Sequence, residues 1–132
     1  MPFVLDASIV LDWALAEGHP TAAAARERMR ADTAVAPSLW WFEVWNGLIM
    51  AERKRRSTED YSSLFLRQLA RFPVSADTAT DAAAVMTIAR EHRLTIYDAA
   101  YLELALRKRL PLATLDGDLA RAARTESVDL IA

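Results

Sequence analysis

The stretch "PLATLDGDLARAA" (Pro111–Ala123) sets two aspartates around a glycine directly after a short apolar run. Two readings compete for it. Asp116 and Asp118 are the kind of acid that helix N-termini favour, where the first turn carries partial positive charge. Alternatively "LPLATL" (110–115) is a strand and Asp116 stands at its carboxyl end, the place where open parallel sheets collect ligands. On either reading Gly117 eases the turn into the following helix "GDLARAAR" (117–124). The second reading makes the chain a sheet protein with a site, and it depends on acids elsewhere.

The N-terminus repeats the arrangement. "FVL" (Phe3–Leu5) is a short strand closed by Asp6, after which Ser8 caps a helix carrying Ile9, Leu11, Trp13 and Leu15 up to Gly18. The alanine-rich "HPTAAAARERMRAD" (19–32) is helical by propensity. "TAVAP" (33–37) is a second strand stopped by Pro37, and Ser38 caps a long helix from Leu39 through Ile49 into "AERKRRS". Further helices are predicted in "STEDYSSLFLRQLARF", capped by Ser57 or Thr58, in "DTATDAAAVMTIAREHR" and in "LTIYDAAYLELALRKR", opened by Thr95. "PVSA" (73–76) and a terminal "VDLI" (128–131) complete the strands. Short apolar strands alternating with longer helices predict one α/β domain spanning residues 1–132, with a short central parallel sheet flanked by helices.

Composition narrows the function classes. The 132 residues are 53 % hydrophobic and 26 % charged with a formal net charge of −2, so bulk attraction to phosphate is not implied. Without cysteine there is no disulfide framework and no thiolate metal site, which fits a reducing cytoplasm. The opening "MPFVLDASIV" lacks a basic region and carries Asp6 inside its apolar run, unlike a signal peptide, and the chain reads as soluble. With three glycines and no Gly-x-Gly, a dinucleotide-binding turn is excluded. A receiver-type signalling domain needs paired acids after the first strand and a lysine after a late one; here Asp6 is single and "LATLDGD" offers acid instead.

Two more acids occupy telling positions. Glu43 lies in "LWWFEVWNGLIM", a helix apolar on nearly every face; Glu43, Asn46, Gly47 and Met50 form its one less greasy stripe. That stripe either faces water or lines a polar cavity. Asp98 falls at N3 of the helix capped by Thr95, a capping-box arrangement that also fixes a carboxylate in place. Brought together, four carboxylates repel, so they acquire raised pKa values or bind a cation. Oxygen ligands alone favour magnesium or manganese over zinc, and such a site suits metal-assisted phosphodiester hydrolysis.

Taken in order, "VLDAS", "WFEVWNGL", "TIYDAAYLELA" and "LATLDGDL" resemble the four motifs of a PIN domain, and more closely those of a toxin ribonuclease of the VapC kind. The resemblance runs through essentially the whole chain. It implies that Asp6, Glu43, Asp98 and Asp116 are the catalytic acids and bind Mg2+ or Mn2+ to cleave RNA, with Asp118 as an auxiliary ligand. Ser8, Asn46 and Thr114 would orient the carboxylates or contact phosphate. It also implies a cognate VapB-type antitoxin that blocks the cleft, a homodimer and no membrane association. The alternative is a catalytically silent PIN-fold module that binds RNA or protein.

Other features carry two readings each. "RKRR" (Arg53–Arg56) is a solvated helix end, or a contact to RNA or antitoxin. Trp13, Trp40, Trp41 and Trp45 are core residues, at least one of which is expected in an antitoxin groove formed with the first helices. His19 and His92 have no companion at ligand spacing, so neither a catalytic nor a zinc role is expected of them, and Asp12, Asp77 and Asp81 read as surface or capping acids. Asp129 has no chemistry assigned to it.

Overall fold

In the computed structural model, which describes residues 1–132, four short strands form one parallel sheet in the order β3-β2-β1-β4. The strands are β1 (Phe3–Leu5), β2 (Ala34–Pro37), β3 (Val74–Asp77) and β4 (Leu112–Ala113). Seven helices accompany them: α1 (Ala7–Leu15), α2 (Pro20–Arg28), α3 (Trp40–Arg53), α4 (Glu59–Leu69), α5 (Ala82–His92), α6 (Ile96–Lys108) and α7 (Gly117–Thr125). The expected α/β domain is what the chain forms.

Sequence explains the layering. β1 is buried along its whole length, as a central parallel strand covered on both faces must be. α6 is buried from Ala99 through Ala105 and packs on β1, β2 and β4. Trp40, Tyr101, Phe3 and Leu5 are among the largest side chains sealed in the core. Glu103 tolerates this burial because Arg107 binds both its oxygens, at 2.7 and 3.1 Å, and Arg107 also bonds Asp77 at the end of β3. Asp77 is thus an ion-pair residue as well as the cap of Ala79 N–H, and Asp81 caps α5 as predicted. Asp12, expected at the surface, is buried instead: its carboxylate accepts from the His19 N–H and ties down the turn between α1 and α2.

Some boundaries differ from the sequence reading. "VDLI" makes a single bridge, Leu112 with Leu130, because the two-residue β4 offers one rung on that side. Ser8 does not cap α1; Asp6 holds the N-cap position, and Ser8 lies inside the first turn. Ser38 does not cap α3 either, since Leu39 is already in helical conformation and no extended cap residue precedes the first turn. Thr58 is the cap of α4, through its Oγ1 and the Tyr61 N–H. Gly117 begins α7 without positive φ, so the turn there does not need a glycine.

Candidate active site

At the carboxyl ends of β1 and β4 the chain leaves the sheet with an acid each time. Asp6 follows β1 directly and is 5 % exposed. Asp116 comes three residues after β4 and is the N-cap of α7, where its Oδ1 accepts from the Leu119 N–H at 2.9 Å. The helix-cap and strand-end readings of "LATLDGDL" therefore describe the same residue. Asp98 sits in the first turn of α6, whose cap Thr95 accepts from the Asp98 N–H. Glu43 sits in the first turn of α3.

These four acids line one cleft of about 290 Å³, together with Ala7, Ser8, Leu11, Asn46 and Gly47. The polar stripe of α3 thus faces this cleft with Glu43, Asn46 and Gly47. Gly47 is required there: a Cβ would lie 2.4 Å from Leu11 Cδ1, so the glycine lets α3 close on α1. Thr114 lies beneath, buried, and Asp118 lies outside, its side chain 70 % exposed and paired with Arg121 at 2.8 Å.

The hydroxyls organise the carboxylates. Ser8 Oγ and Thr114 Oγ1 each donate to Asp6 Oδ2 at 2.6 Å. Those hydroxyls accept in turn, Ser8 from the Leu115 N–H and Thr114 from the Asp116 N–H, both at 3.0 Å. The loop after β4 is thereby fastened to the carboxyl end of β1. Tyr101, which the sequence reading overlooked, donates its buried hydroxyl to Glu43 Oε1 at 2.5 Å. The signal available in the sequence was a tyrosine three residues after Asp98, nearly one helical turn along the same face.

Electrostatically the cleft lacks a balancing charge. Burial pushes the Asp6 carboxyl up, against the hydrogen bonds from Ser8 and Thr114, and Asp116 adds to the push. Burial likewise raises Glu43, opposed by the Tyr101 hydrogen bond and aided by Asp6 and Asp98. Asp98 is pushed up to about 6, by burial first and then by Asp116, Asp6 and the more distant Asp118. None of the nine lining residues is basic. A site of this kind, partly buried and with carboxylates as its only charged groups, suits a cation.

The remaining features lie elsewhere. A larger cleft, about 600 Å³, runs between α2, the end of α6 and the C-terminal residues, and it gathers no comparable set of carboxylates. Of the tryptophans, Trp40 is buried, Trp13 and Trp41 are half-buried, and Trp45 is 43 % exposed. Arg56 pairs with Glu17 at 2.8 Å, so the basic run joins the end of α3 to the turn after α1. Arg53 is ten residues beyond Glu43, about 15 Å along the helix. No helix is long and apolar enough to cross a membrane.

Comparison with known proteins agrees with this layout. The family profile described as "PIN domain" matches residues 3–125. The crystal structure of PAE2754 from Pyrobaculum aerophilum superposes with a TM-score of 0.70 at 25 % identity, covering 92 % of this chain and 79 % of that one. No curated protein matches by sequence. The chain belongs to the PIN-domain family, whose members are generally nucleases.

Proposed function

We propose that the chain is a divalent-cation-dependent endoribonuclease acting as the toxin of a toxin–antitoxin pair. The observation that supports the nuclease reading is the convergence of Asp6, Glu43, Asp98 and Asp116 on one cleft without a basic side chain. Their donors are all oxygen, which fits Mg2+ or Mn2+ and not a soft ion. These four acids would hold the cation. Asp118 contributes through its field on Asp98 and as an auxiliary ligand once released from Arg121. Bound there, the cation supplies Lewis acidity toward a phosphodiester and toward water.

The chain's own residues do the rest. Ser8 and Thr114 fix Asp6 by bonding one oxygen twice, and Tyr101 fixes Glu43 by bonding Oε1. Holding carboxylates rigidly before substrate arrives avoids reorganisation during the reaction. Asn46, exposed on the cleft wall, is placed to donate to a phosphate oxygen. Asp98, with its raised pKa, is a group that exchanges a proton near neutrality when no cation is bound.

Exposed apolar side chains support the partner reading. Phe42, Trp45 and Ile49 on α3, with Tyr61 and Leu64 on α4, are the surface we assign to the antitoxin. Met86, Ile96 and Tyr97, on α5 and α6, are the surface we assign to a second copy. Incubating the protein with structured RNA, with and without manganese, tests the activity. Cleavage that requires manganese and is lost in Asp6→Asn and Asp98→Asn is expected. Cleavage surviving both substitutions would overturn the site assignment, and its absence from the unsubstituted protein would favour a silent binding module. Trp45→Asp should abolish co-purification with the antitoxin while leaving cleavage intact.

A further inference from the structure

A second constellation of ligand-type side chains lies outside the carboxylate cleft. His92, the last residue of α5, places Nε2 2.7 Å from Oε2 of Glu126, the C-cap of α7. Glu91 brings a third donor, so that one atom from each of Glu91, His92 and Glu126 lies within 4.8 Å of the others. The His92 side chain is 12 % exposed and that of Glu126 32 %, so the pair is partly sheltered, while Glu91 is exposed to solvent. None of the three lines the cleft described above.

We propose that Glu91, His92 and Glu126 form a three-ligand site, open to water at the fourth position, for a borderline transition-metal ion, zinc being the best fit. The donor set differs in kind from the cleft: one imidazole nitrogen with two carboxylates, the three-ligand pattern that zinc accepts with water completing its shell. An imidazole selects such ions over magnesium, which demands oxygen. Two helices end here, α5 and α7, and the partial negative charge of their last carbonyls favours a cation. The one basic side chain that contacts these residues, Arg121, is turned aside: it bonds Asp118 and reaches only the His92 carbonyl, at 3.4 Å. In the metal-free protein His92 Nε2 and Glu126 Oε2 are hydrogen-bonded to each other, and an ion would replace that bond.

The position gives the site a role. His92 lies three residues before Thr95, the cap of the helix carrying Asp98, and Glu126 ends the helix that begins at Asp116. An ion joining them ties the α5–α6 corner to α7, and so braces two of the segments that supply cleft acids. This inference stands apart from the ribonuclease reading, because it concerns residues that take no part in the cleft.

The test uses full-length protein carrying Asp6→Asn and Asp98→Asn, so that the cleft is disabled, stripped with chelator and titrated with Zn2+ by calorimetry. Co2+ absorbance serves as a second readout. One zinc per chain at micromolar concentration is expected, with a rise of several degrees in Tm that Mg2+ does not reproduce. His92→Gln, which keeps a donor for Glu126 but lowers metal affinity, should weaken binding at least 10-fold and bleach the Co2+ spectrum. Glu91→Gln, on the surface where folding is safe, should weaken it about 10-fold. Absence of stoichiometric zinc, or binding unchanged by both substitutions, overturns the proposal.

Discussion

Tyr101 on α6 and Glu43 on α3, 58 positions apart, are joined by a 2.5 Å hydrogen bond from a phenol that is itself buried. The phenol is the only side chain that bonds this carboxylate, and its own ionisation is suppressed by burial and by the nearby Asp6 and Glu43. It therefore serves as a permanent donor and not as a proton-transfer group. Tyr101→Phe should weaken manganese binding and cleavage about 10-fold, the cost typical of losing a residue that orients a metal ligand. Because the hydrogen bond holds Glu43 down, its removal raises that carboxyl further, and the acid limb of the pH–rate profile should move to higher pH. A drop in rate with no change in metal dependence or pH profile would reduce Tyr101 to a packing residue.

Stability without metal should depend on pH in an unusual sense. Asp6, Glu43 and Asp98 have raised pKa values in the fold, so the folded state keeps protons that the unfolded chain has released. Stability is then greatest below about pH 4 for these groups and is lost as pH rises through about 6, where Asp98 ionises. In chelator, Tm should fall between pH 5 and pH 7.5, and Mg2+ should restore it. Asp98→Asn should remove much of that fall and raise Tm at pH 7.5 by roughly 3–6 °C, about 1 kcal/mol for a domain of this size. A flat profile in the unsubstituted protein would show that the acids are better solvated than their burial implies.

Arg107 anchors a separate network. It pairs with the buried Glu103 and with Asp77, whose carboxyl it holds below the usual range. Arg107→Met leaves Glu103 uncompensated inside the protein and should cost about 3 kcal/mol in urea unfolding. Cleavage per folded molecule should not change, since none of the three residues lines the cleft.

Asp116 calls for two substitutions. Asp116→Asn keeps an oxygen for the Leu119 N–H and should abolish cleavage with little loss of stability. Asp116→Ala removes the cap as well and should cost about 1 kcal/mol more. Equal melting temperatures for the two would show that the cap contributes nothing.

Much of this arrangement was legible in the sequence. Period and punctuation locate β1, β2, β3 and all seven helices, with ends off by a few residues, and strand-end logic pairs Asp6 with Asp116. The polar stripe on α3 is legible in the sequence, but only packing against α1 shows that Glu43, Asn46 and Gly47 line an open cleft while Met50 lies outside it. Tyr101 escaped notice because a tyrosine among Ala99, Leu102 and Leu104 looks like core, and it is core as well as donor. Asp12 was misplaced for a related reason: its partner is a backbone N–H, which carries no residue-type signal. His92 and Glu126 lie 34 positions apart, a spacing that no local motif records.

The cap at Asp116 has a consequence for how this protein can fail. A carboxylate that also starts a helix cannot be discarded freely, because the chain needs an acceptor at that position to fold α7. Replacements that silence the cleft at little cost to the protein are confined to the other good N-cap residues, Asn, Ser, Thr and Gly. A version silenced at position 116 that keeps its stability would therefore carry one of those residues there, and an alanine would mark a molecule damaged in both respects.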